Sequence, residues 1–297
     1  MTAKKKRGYG LLAACLLVGI GLLLWILWGN TALMHTEYTV TDTDLPSSFD
    51  GYRIAQVSDL HNAQMGENNT ELLAMLEAAD PDIIVLTGDL IDSRRTDIAV
   101  TLAFAAKAVT IAPTYYVSGN HESRISTYKE LTQGLLSVGV GVLEDQAVTI
   151  TRGSESLTLI GVADPTFETD DGSEALSEAA VMDRNLKVLM PTEAMYTVVL
   201  SHRPELFSTY VSCGADLVFS GHAHGGQVRL PFVGGLFAPD QGLFPTYDGG
   251  MYTDAETTMI VSRGIGNSVA PLRVNNRPEL VIAVLHRATN EAKELAP

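Results

Sequence analysis

Short apolar runs alternate with segments of helical spacing through the first half of the chain beyond residue 52. The runs of four to six apolar residues are typical of buried strands, and the segments between them place leucines and alanines on one face. The pattern predicts strands at 53–58, 82–87 and 114–117, and helices at 70–79, 97–109 and 126–136. Strand–helix units in this order favour a parallel sheet with crossover helices.

The second half of the chain is predicted to contain mainly strands with shorter connections. Residues 141–150 and 156–162 read as successive strands around a turn at 152–154, followed by strands at 196–200 and 217–220 and a final pair at 257–261 and 280–285. We predict a short surface helix within the acidic stretch 168–189. Residues 36–52 are predicted to form a connection that contains a strand-like piece. We therefore predict an α/β (α+β) fold of two packed mixed β-sheets flanked by helices, an αββα sandwich.

A long uncharged segment, residues 8–30, precedes this domain and follows four basic residues at 4–7. At about 1.5 Å per residue its apolar part can cross a hydrocarbon core of about 30 Å. A cleaved signal peptide is the alternative, but its apolar region would be shorter, and Asn30-Thr31-Ala32 is a poor cleavage site. The basic flank favours a cytoplasmic N-terminus, so we predict a single-pass protein of the cell membrane with an extracytoplasmic domain.

These features divide the chain into five segments. They are a basic cytoplasmic tail (1–7), a transmembrane signal-anchor helix (8–30), a connection with the first strand (31–51), the main domain (52–290) and a C-terminal tail (291–297). Four of the 20 Lys and Arg residues precede residue 8, whereas all 35 Asp and Glu residues follow it. The acidic domain disfavours nucleic acid as a partner. Of the two cysteines only Cys213 lies in the domain, which excludes an intrachain disulfide there.

Five of the seven histidines lie in short polar clusters, and each cluster directly follows a predicted strand. Together with one Gly-Asp pair, the clusters are Asp59-Leu60-His61, Gly88-Asp89, Gly119-Asn120-His121-Glu122, Ser201-His202 and Gly221-His222-Ala223-His224. One such cluster alone is typical of an ordinary turn. Ligands bind at the carboxyl ends of parallel strands, so the clusters are expected to converge on one crevice. Histidine and carboxylate side chains there indicate a site for divalent metals. We predict an extended segment for the last cluster, which would point both its rings the same way.

The ordered motifs D-x-H, G-D-x-x-D, G-N-H-E, S-H and G-H-x-H resemble those of the calcineurin-like metallophosphoesterase superfamily. The similarity covers residues 36–287. Three flanking motifs resemble the membrane-anchored bacterial branch that includes the UDP-2,3-diacylglucosamine hydrolases, namely Gly225-Gly226-Gln227, Ser262-Arg263-Gly264 and Asn276-Arg277-Pro278-Glu279.

The resemblance implies two divalent metal ions in each chain. The first would be held by Asp59, His61, Asp89 and His224, and the second by Asp89, Asn120, His202 and His222. Mn²⁺ is the first choice for the metal, with Zn²⁺, Fe or Mg²⁺ as alternatives. The shared Asp89 carboxylate would offset the repulsion between two cations about 3.5–4 Å apart.

The implied activity is that of a metal-dependent phosphoric ester hydrolase, in which a metal-bridging hydroxide attacks phosphorus in line. His121, which is not a predicted ligand, would protonate the leaving oxygen. Asp92 would orient His121 through a hydrogen bond, or would be a solvated loop acid. Three arginines near these motifs could hold a second phosphate, although surface charge is the simpler interpretation: Arg94, Arg95 and Arg124.

The expected function is hydrolysis of a phosphate ester of a cell-envelope lipid or nucleotide-sugar precursor by a phosphodiesterase or pyrophosphatase. The alternative is a membrane-tethered, metal-containing binding protein without turnover. The substrate would be a phosphorylated small molecule or lipid-linked compound, residues 8–30 would contact the bilayer, and a monomer with no protein partner is expected. The apolar segment 230–247 could contact acyl chains or the bilayer, but we favour packing of its side chains beneath the loop.

The orientation can be tested by adding a protease to intact cells. The domain should be degraded, because the basic flank keeps the N-terminus inside. Loss of a C-terminal tag on an immunoblot measures this, with a cytoplasmic protein as the control for intact membranes. A tag lost only after permeabilisation would contradict the predicted topology.

Overall fold

The computed structural model describes residues 3–169, 176–267 and 272–288, with side chains from residue 9 onward. It begins with a helix, α1 (Ala3–Thr31). Within α1, Tyr9–Thr31 is long and apolar enough to cross a membrane, and its apolar window is not buried against the rest of the protein. An apolar surface of this size needs a cover outside the chain, and a bilayer provides one.

Strands and further helices follow α1 in an order close to the predicted one. The strands are β1 (Met34–Asp42), β2 (Tyr52–Val57), β3 (Ile83–Thr87), β4 (Thr114–Val117), β5 (Gly141–Val142), β6 (Gln146–Arg152), β7 (Glu155–Gly161), β8 (Thr197–Leu200), β9 (Leu217–Ser220), β10 (Arg229–Leu230), β11 (Gly234–Gly235), β12 (Phe237–Ala238), β13 (Gly242–Leu243), β14 (Gly250–Asp254), β15 (Thr257–Val261) and β16 (Glu279–Arg287). The helices are α2 (Thr70–Ala79), α3 (Ile98–Ile111), α4 (Asn120–Ser123), α5 (Tyr128–Ser137), α6 (Thr166–Thr169), α7 (Glu178–Leu189) and α8 (Phe207–Cys213).

Two six-stranded mixed sheets form the body of the domain. Their strand orders are β1-β16-β2-β3-β4-β5 and β14-β15-β9-β8-β7-β6. Apolar side chains from both sheets, among them Ile54, Val85, Leu159 and Phe219, form one buried core between them. Helices α2, α3 and α5 cover the outer face of the first sheet, and α7 and α8 cover that of the second. The predicted sandwich of two mixed sheets flanked by helices, with one apolar N-terminal helix, is confirmed.

The strands that precede the polar clusters are parallel neighbours within each sheet. Strand β3 pairs in parallel with β2 and β4, and β9 pairs in parallel with β8 and β15. Their buried sides are almost wholly apolar, as expected for parallel strands covered on both faces. The carboxyl ends of β2, β3 and β4 therefore share one edge of the first sheet, and those of β8 and β9 share one edge of the second.

The prediction that the last two strands form a pair is wrong. Strand β15 pairs with β14 and β9 in the second sheet, whereas β16 lies between β1 and β2 in the first. The apolar run of β16 is buried over almost its whole length, which requires cover on both faces and strand neighbours on both edges. Hydrophobic spacing identifies such a strand but does not select its neighbours.

Some other predictions differ in extent from the structure. The predicted connection at 36–52 contains most of the nine-residue strand β1, which pairs in parallel with β16 along its length. The acidic stretch 168–189 contains α7, and residues 170–175 within it lie outside the described residues. The predicted C-terminal tail, 291–297, also lies outside them.

Candidate metal centre

Side chains from all five polar clusters meet where the strand ends of the two sheets face each other. Asp59, His61, Asp89, Asn120, His121, His202, His222 and His224 are all buried. The backbone N–H of His222, from the second sheet, lies 3.2 Å from each carboxylate oxygen of Asp59, from the first. This contact joins the loops of the two sheets at a single site.

One group of candidate ligands consists of Asp59, His61 and His224. The Nε2 atoms of His61 and His224 are 3.0 Å apart, and Oδ1 of Asp59 lies 3.3 Å from Nε2 of His224 and 3.9 Å from Nε2 of His61. Ligand atoms that each lie about 2.0–2.2 Å from the same ion are separated from one another by distances similar to these three. The group therefore has the spacing of ligands to a single cation.

A second group consists of Asp89, His202 and His222. Oδ2 of Asp89 lies 3.3 Å from Nε2 of His202 and 3.6 Å from Nε2 of His61, which belongs to the first group. The same carboxylate oxygen thus faces both groups. A bridging ligand between two cations needs this position.

Two buried polar atoms test whether these residues suit a cation. Oδ1 of Asn120 and Nε2 of His202 are buried, and neither has a hydrogen-bond partner within the part of the chain that the structure describes. Nδ1 of His202 lies 2.7 Å from the carbonyl oxygen of Thr87, which keeps a proton on Nδ1, so the neutral ring offers the electron pair of Nε2 to a ligand. Buried electron-pair donors without a proton donor fit a metal site.

The ionisation of the histidines points the same way. Burial outweighs the nearby Asp89 and Asp59 carboxylates and lowers the pKa of His61 to about 4, so this imidazole is neutral. Burial also opposes a charge on His202, but the Asp89 and Asp59 carboxylates outweigh it and raise the pKa of His202 to about 10. A divalent cation would replace that proton, because imidazole binds metals in its neutral form.

Asp92 does not hydrogen-bond to His121 in the predicted way. Oδ1 of Asp92 lies 3.8 Å from Nδ1 of His121, beyond hydrogen-bond distance, and accepts instead from Nε of Arg94 at 3.2 Å. The backbone N–H of Ser93 donates to Nδ1 of His121 at 3.0 Å. The loop backbone therefore orients the His121 ring, and Asp92 contributes charge nearby.

The segment that carries His222 and His224 is not extended. Both residues have left-handed backbone, with φ of 66° and 49°. The turn assigns His222 to the group with Asp89 and His224 to the group with Asp59. The positive φ values of Asp59, His61 and Asp89 show the same strained conformation, which is uncommon for residues with a side chain and concentrates at functional sites.

A cavity of ≈ 450 Å³ opens beside the first group of ligands. Its lining includes His61, Asp92, Arg95 and Asn267. The cavity is large enough for a small phosphorylated group. Of the three arginines considered from the sequence, Arg95 lines this cavity, Arg94 is paired with Asp92, and Arg124 is exposed.

Comparison with known proteins agrees with this site. Residues 52–226 match the family model described as calcineurin-like phosphoesterase. The chain belongs to the calcineurin-like phosphoesterase family. It is 28% identical over 264 residues to YkuE of Bacillus subtilis (strain 168), an uncharacterized metallophosphoesterase, with 86% of each chain covered.

Two further relatives bear on activity and location. The chain is 29% identical over 242 residues to phosphodiesterase YaeI of Escherichia coli (strain K12), with 79% of this chain and 82% of the relative covered. It is 27% identical over 260 residues to the transmembrane protein with metallophosphoesterase domain of Bos taurus, with 82% of this chain and 55% of the relative covered. The protein is thus a metal-dependent phosphoric ester hydrolase of a dinuclear family, and its N-terminal apolar helix suggests a membrane anchor.

Glu122 is a buried residue of the phosphoesterase site to which the sequence analysis gave no role. Its Oε1 accepts from the backbone N–H groups of Leu90 and Ile91, and its Oε2 accepts from those of Asp89 and Gly119, at 2.8–3.4 Å. One carboxylate thus ties the loop after β3 to the loop after β4. The G-N-H-E motif contained this residue, but spacing alone did not show which backbone it would hold.

The opposite side of the centre depends on a buried arginine, Arg203. Its guanidinium pairs with Asp164 at 2.6 Å and with Asp240 at 2.7 Å, and Asp240 lies 2.9 Å from Nε2 of His222. The hydrogen bond from His222, with Arg203 beside it, lowers the pKa of Asp240 to about 2. A proton held on Nε2 leaves Nδ1 of His222 as the atom that can bind a cation. Asp240 lies 16 residues beyond His224, the last residue of the motifs, and belongs to none of them, so motif spacing does not identify its role.

The end of helix α1 also reaches the metal centre. Asn30 donates to the carbonyl oxygen of Arg273 and accepts from its N–H, both at 2.8 Å. Arg273 is buried, and its Nη2 lies 3.3 Å from Nδ1 of His224. Burial, with His61 and Arg273 nearby, holds the pKa of His224 well below its usual value, so the ring is neutral.

The role of Glu122 can be tested with Glu122→Gln. Each carboxylate oxygen accepts two backbone N–H groups, so the amide nitrogen must face two donors in either orientation. We expect a loss of stability of about 1–3 kcal/mol and weaker metal binding, measured by urea unfolding and by calorimetric titration of the metal-free protein. Glu193→Gln, at an exposed position, is the control. Unchanged stability and metal affinity would show that Glu122 does not hold the loops.

Proposed function

We propose that the protein is a phosphodiesterase or pyrophosphatase that hydrolyses a phosphate ester of a cell-envelope lipid or nucleotide-sugar precursor. Asp59, His61, Asp89 and His224 would hold one cation, and Asp89, Asn120, His202 and His222 the other. The observation that carries this assignment is the single Asp89 oxygen that faces both groups, at 3.3 and 3.6 Å from their imidazole nitrogens. The protein would act as a monomer whose domain, 52–290, is tethered by residues 8–30 outside the cytoplasm.

Two divalent cations, with Mn²⁺ as first choice, would polarise the phosphoryl oxygens and activate the attacking water. The residues around them control charge. Asp59 and Asp89 are the only carboxylates in the proposed set, and Asn120 adds a neutral oxygen, which limits the negative charge around the site. The protein ligands would therefore not cancel the positive charge of the two cations, and the remaining positive charge would attract the anionic phosphate of the substrate.

His121 is suited to protonate the leaving oxygen. Nδ1 accepts the Ser93 N–H, so the neutral ring carries its proton on Nε2. That nitrogen lies 4.0 Å from Oδ2 of Asp89 and therefore borders the proposed metal centre. Burial lowers the pKa of His121, and the carboxylates of Asp89 and of Asp92, which lies 3.8 Å from Nδ1, oppose this shift.

Similarity to other proteins supports, but does not specify, the substrate class. The Escherichia coli relative is named a phosphodiesterase, which favours a diester. An apolar helix at the N-terminus favours a substrate at the cell envelope. The motifs around Gly225, Arg263 and Asn276 favour the branch that includes UDP-2,3-diacylglucosamine hydrolases.

The metal assignment can be tested with bis-p-nitrophenyl phosphate and Mn²⁺. The wild type should release p-nitrophenol, and Asp89→Asn should reduce kcat by about 10²-fold or more, because it removes the charge shared by both cations. Asp183→Asn, at a surface acid paired with Lys187, should retain activity within about twofold.

Two results would contradict this proposal. Equal turnover by wild type and Asp89→Asn would exclude the assigned centre. Absence of turnover by the wild type with Mn²⁺, Zn²⁺, Fe²⁺ or Mg²⁺, combined with tight metal binding, would favour the tethered binding protein.

The role of His121 can be tested by changing the leaving group. His121→Gln should lower kcat about 10²- to 10⁴-fold for an alkyl phosphate diester, whose leaving oxygen needs a proton. The loss should be much smaller for bis-p-nitrophenyl phosphate, because p-nitrophenolate leaves without protonation. His35→Gln, at an exposed position on β1, is the control. Equal losses on both substrates would assign His121 a role other than acid catalysis.

A further inference from the structure

Residues 230–244 expose an unusual amount of apolar surface. Six of the eleven large hydrophobic side chains that are exposed beyond α1, among the residues that the structure describes, lie in this segment: Leu230, Phe232, Val233, Phe237, Leu243 and Phe244. The interpretation that these side chains pack beneath the loop is therefore wrong for these six. Exposed apolar side chains concentrated in one segment of this kind mark an interaction site.

The segment forms two short antiparallel ribbons, β10–β11 and β12–β13, whose base is fixed to the domain. Arg229 pairs with Asp248 at 3.1 Å and donates to the carbonyl oxygen of Gly225 at 3.0 Å. Asp248 also accepts from the backbone N–H of Gly235. An ion pair and hydrogen bonds thus hold the base of the ribbons in place, so the exposure of these side chains does not result from a segment without contacts to the domain.

The base of the ribbons adjoins the end of helix α1. The N–H of Arg229 donates to the carbonyl oxygen of Val274 at 3.0 Å, and Asn275 donates to the carbonyl oxygen of Arg229 at 3.3 Å. Asn275 lines a cavity of ≈ 220 Å³ together with Trp25 and Trp28 of the helix. Indole rings favour the membrane–water interface, so the base of the ribbons lies at the level where α1 would leave the bilayer.

Cationic side chains surround this junction in an otherwise acidic domain. The Arg277 guanidinium lies 4.9 Å from the ring centre of Trp28 and donates to the carbonyl oxygens of Ala32 and Leu33. Arg263 lines the same cavity, with Glu279 3.8 Å from its Nε as the nearby acid. Exposed apolar side chains next to arginines are typical of surfaces that contact lipid headgroups and the acyl boundary.

We propose that the two ribbons insert their apolar side chains into the bilayer surface beside helix α1. The bilayer is the apolar phase that α1 already brings to this side of the domain, and the arginines complement lipid phosphates. In the turn of the second ribbon, between β12 and β13, Asp240 contacts His222 at 2.9 Å and Arg203 at 2.7 Å, so the ribbons adjoin the proposed metal centre. It follows, if the proposed function holds, that the substrate is a phosphate ester embedded in the bilayer.

Insertion can be measured without reference to activity. In a Cys15→Ser, Cys213→Ser background, Phe232→Cys would carry an environment-sensitive fluorophore in phosphatidylcholine–phosphatidylglycerol vesicles that contain nitroxide-labelled lipid. The matched control is Val188→Cys, whose side chain is 81% exposed on α7. We expect at least severalfold stronger quenching by the nitroxide lipid at position 232 than at 188.

Two outcomes would overturn the insertion. One is equal quenching at positions 232 and 188. The other is energy transfer between labels at position 232 of different chains without nitroxide quenching, which would mean that the ribbons contact a second copy of the chain.

The substrate class has a separate readout. Phe232→Ser with Phe244→Ser should abolish insertion and lower turnover of a phosphodiester lipid in vesicles severalfold, while turnover of bis-p-nitrophenyl phosphate stays unchanged. Loss of insertion with full turnover of the vesicle substrate would overturn the lipid substrate and leave insertion standing. Absence of turnover on both substrates by the wild type would contradict the proposed function alone.

Discussion

Two buried carboxylates, Asp59 and Asp89, lie among five buried imidazoles where the edges of the two sheets meet, and the surrounding structure depends on stabilising them. Ionised groups are costly to bury unless hydrogen bonds or opposite charges compensate them. Part of the compensation comes from backbone, since His222 donates to Asp59 and His121 donates to Asp89. The remainder requires cations, either the proton that His202 takes up or the divalent metals of the family.

Close approach of the loops is a condition for this arrangement. A Cβ on Gly221 would collide with Ser58 and Asp59, and one on Gly119 would collide with Asp89. Glycine at position 221 therefore allows a loop of the second sheet to reach Asp59 of the first, and glycine at position 119 allows the loop after β4 to approach Asp89 after β3. The left-handed backbone conformations of Asp59, Asp89 and His222 cost additional free energy, which the packing of the two sheets on either side offsets.

The centre is connected to helix α1 and to the apolar ribbons through charged and amide side chains. Asn30 at the end of α1 hydrogen-bonds to Arg273, which contacts His224, while Asp240 in the turn between β12 and β13 contacts His222. The two histidines of the G-H-x-H motif thus contact different parts of the domain: His224 contacts Arg273 near the end of α1, and His222 contacts Asp240 in the ribbons. The end of helix α1 is consequently part of the packing around the site.

The amino-acid pattern alone identified most strands of the two sheets, the apolar helix and the chemistry of the clusters, but not strands β10–β14. Local spacing sufficed for the strands and the helix, because apolar runs must be buried. It also sufficed for the clusters, because their residues follow strands whose carboxyl ends lie at one edge of each sheet. These residues are Asp59, His61, Asp89, His202, His222 and His224. The pattern did not determine that β15 and β16 belong to different sheets, since an apolar run does not select its neighbours. Only the tertiary structure decided that Ser93 rather than Asp92 orients His121, and that Glu122, Arg203 and Arg273 surround the centre. Those contacts join residues distant in the chain, and their energies depend on burial and distance, which a linear pattern does not contain.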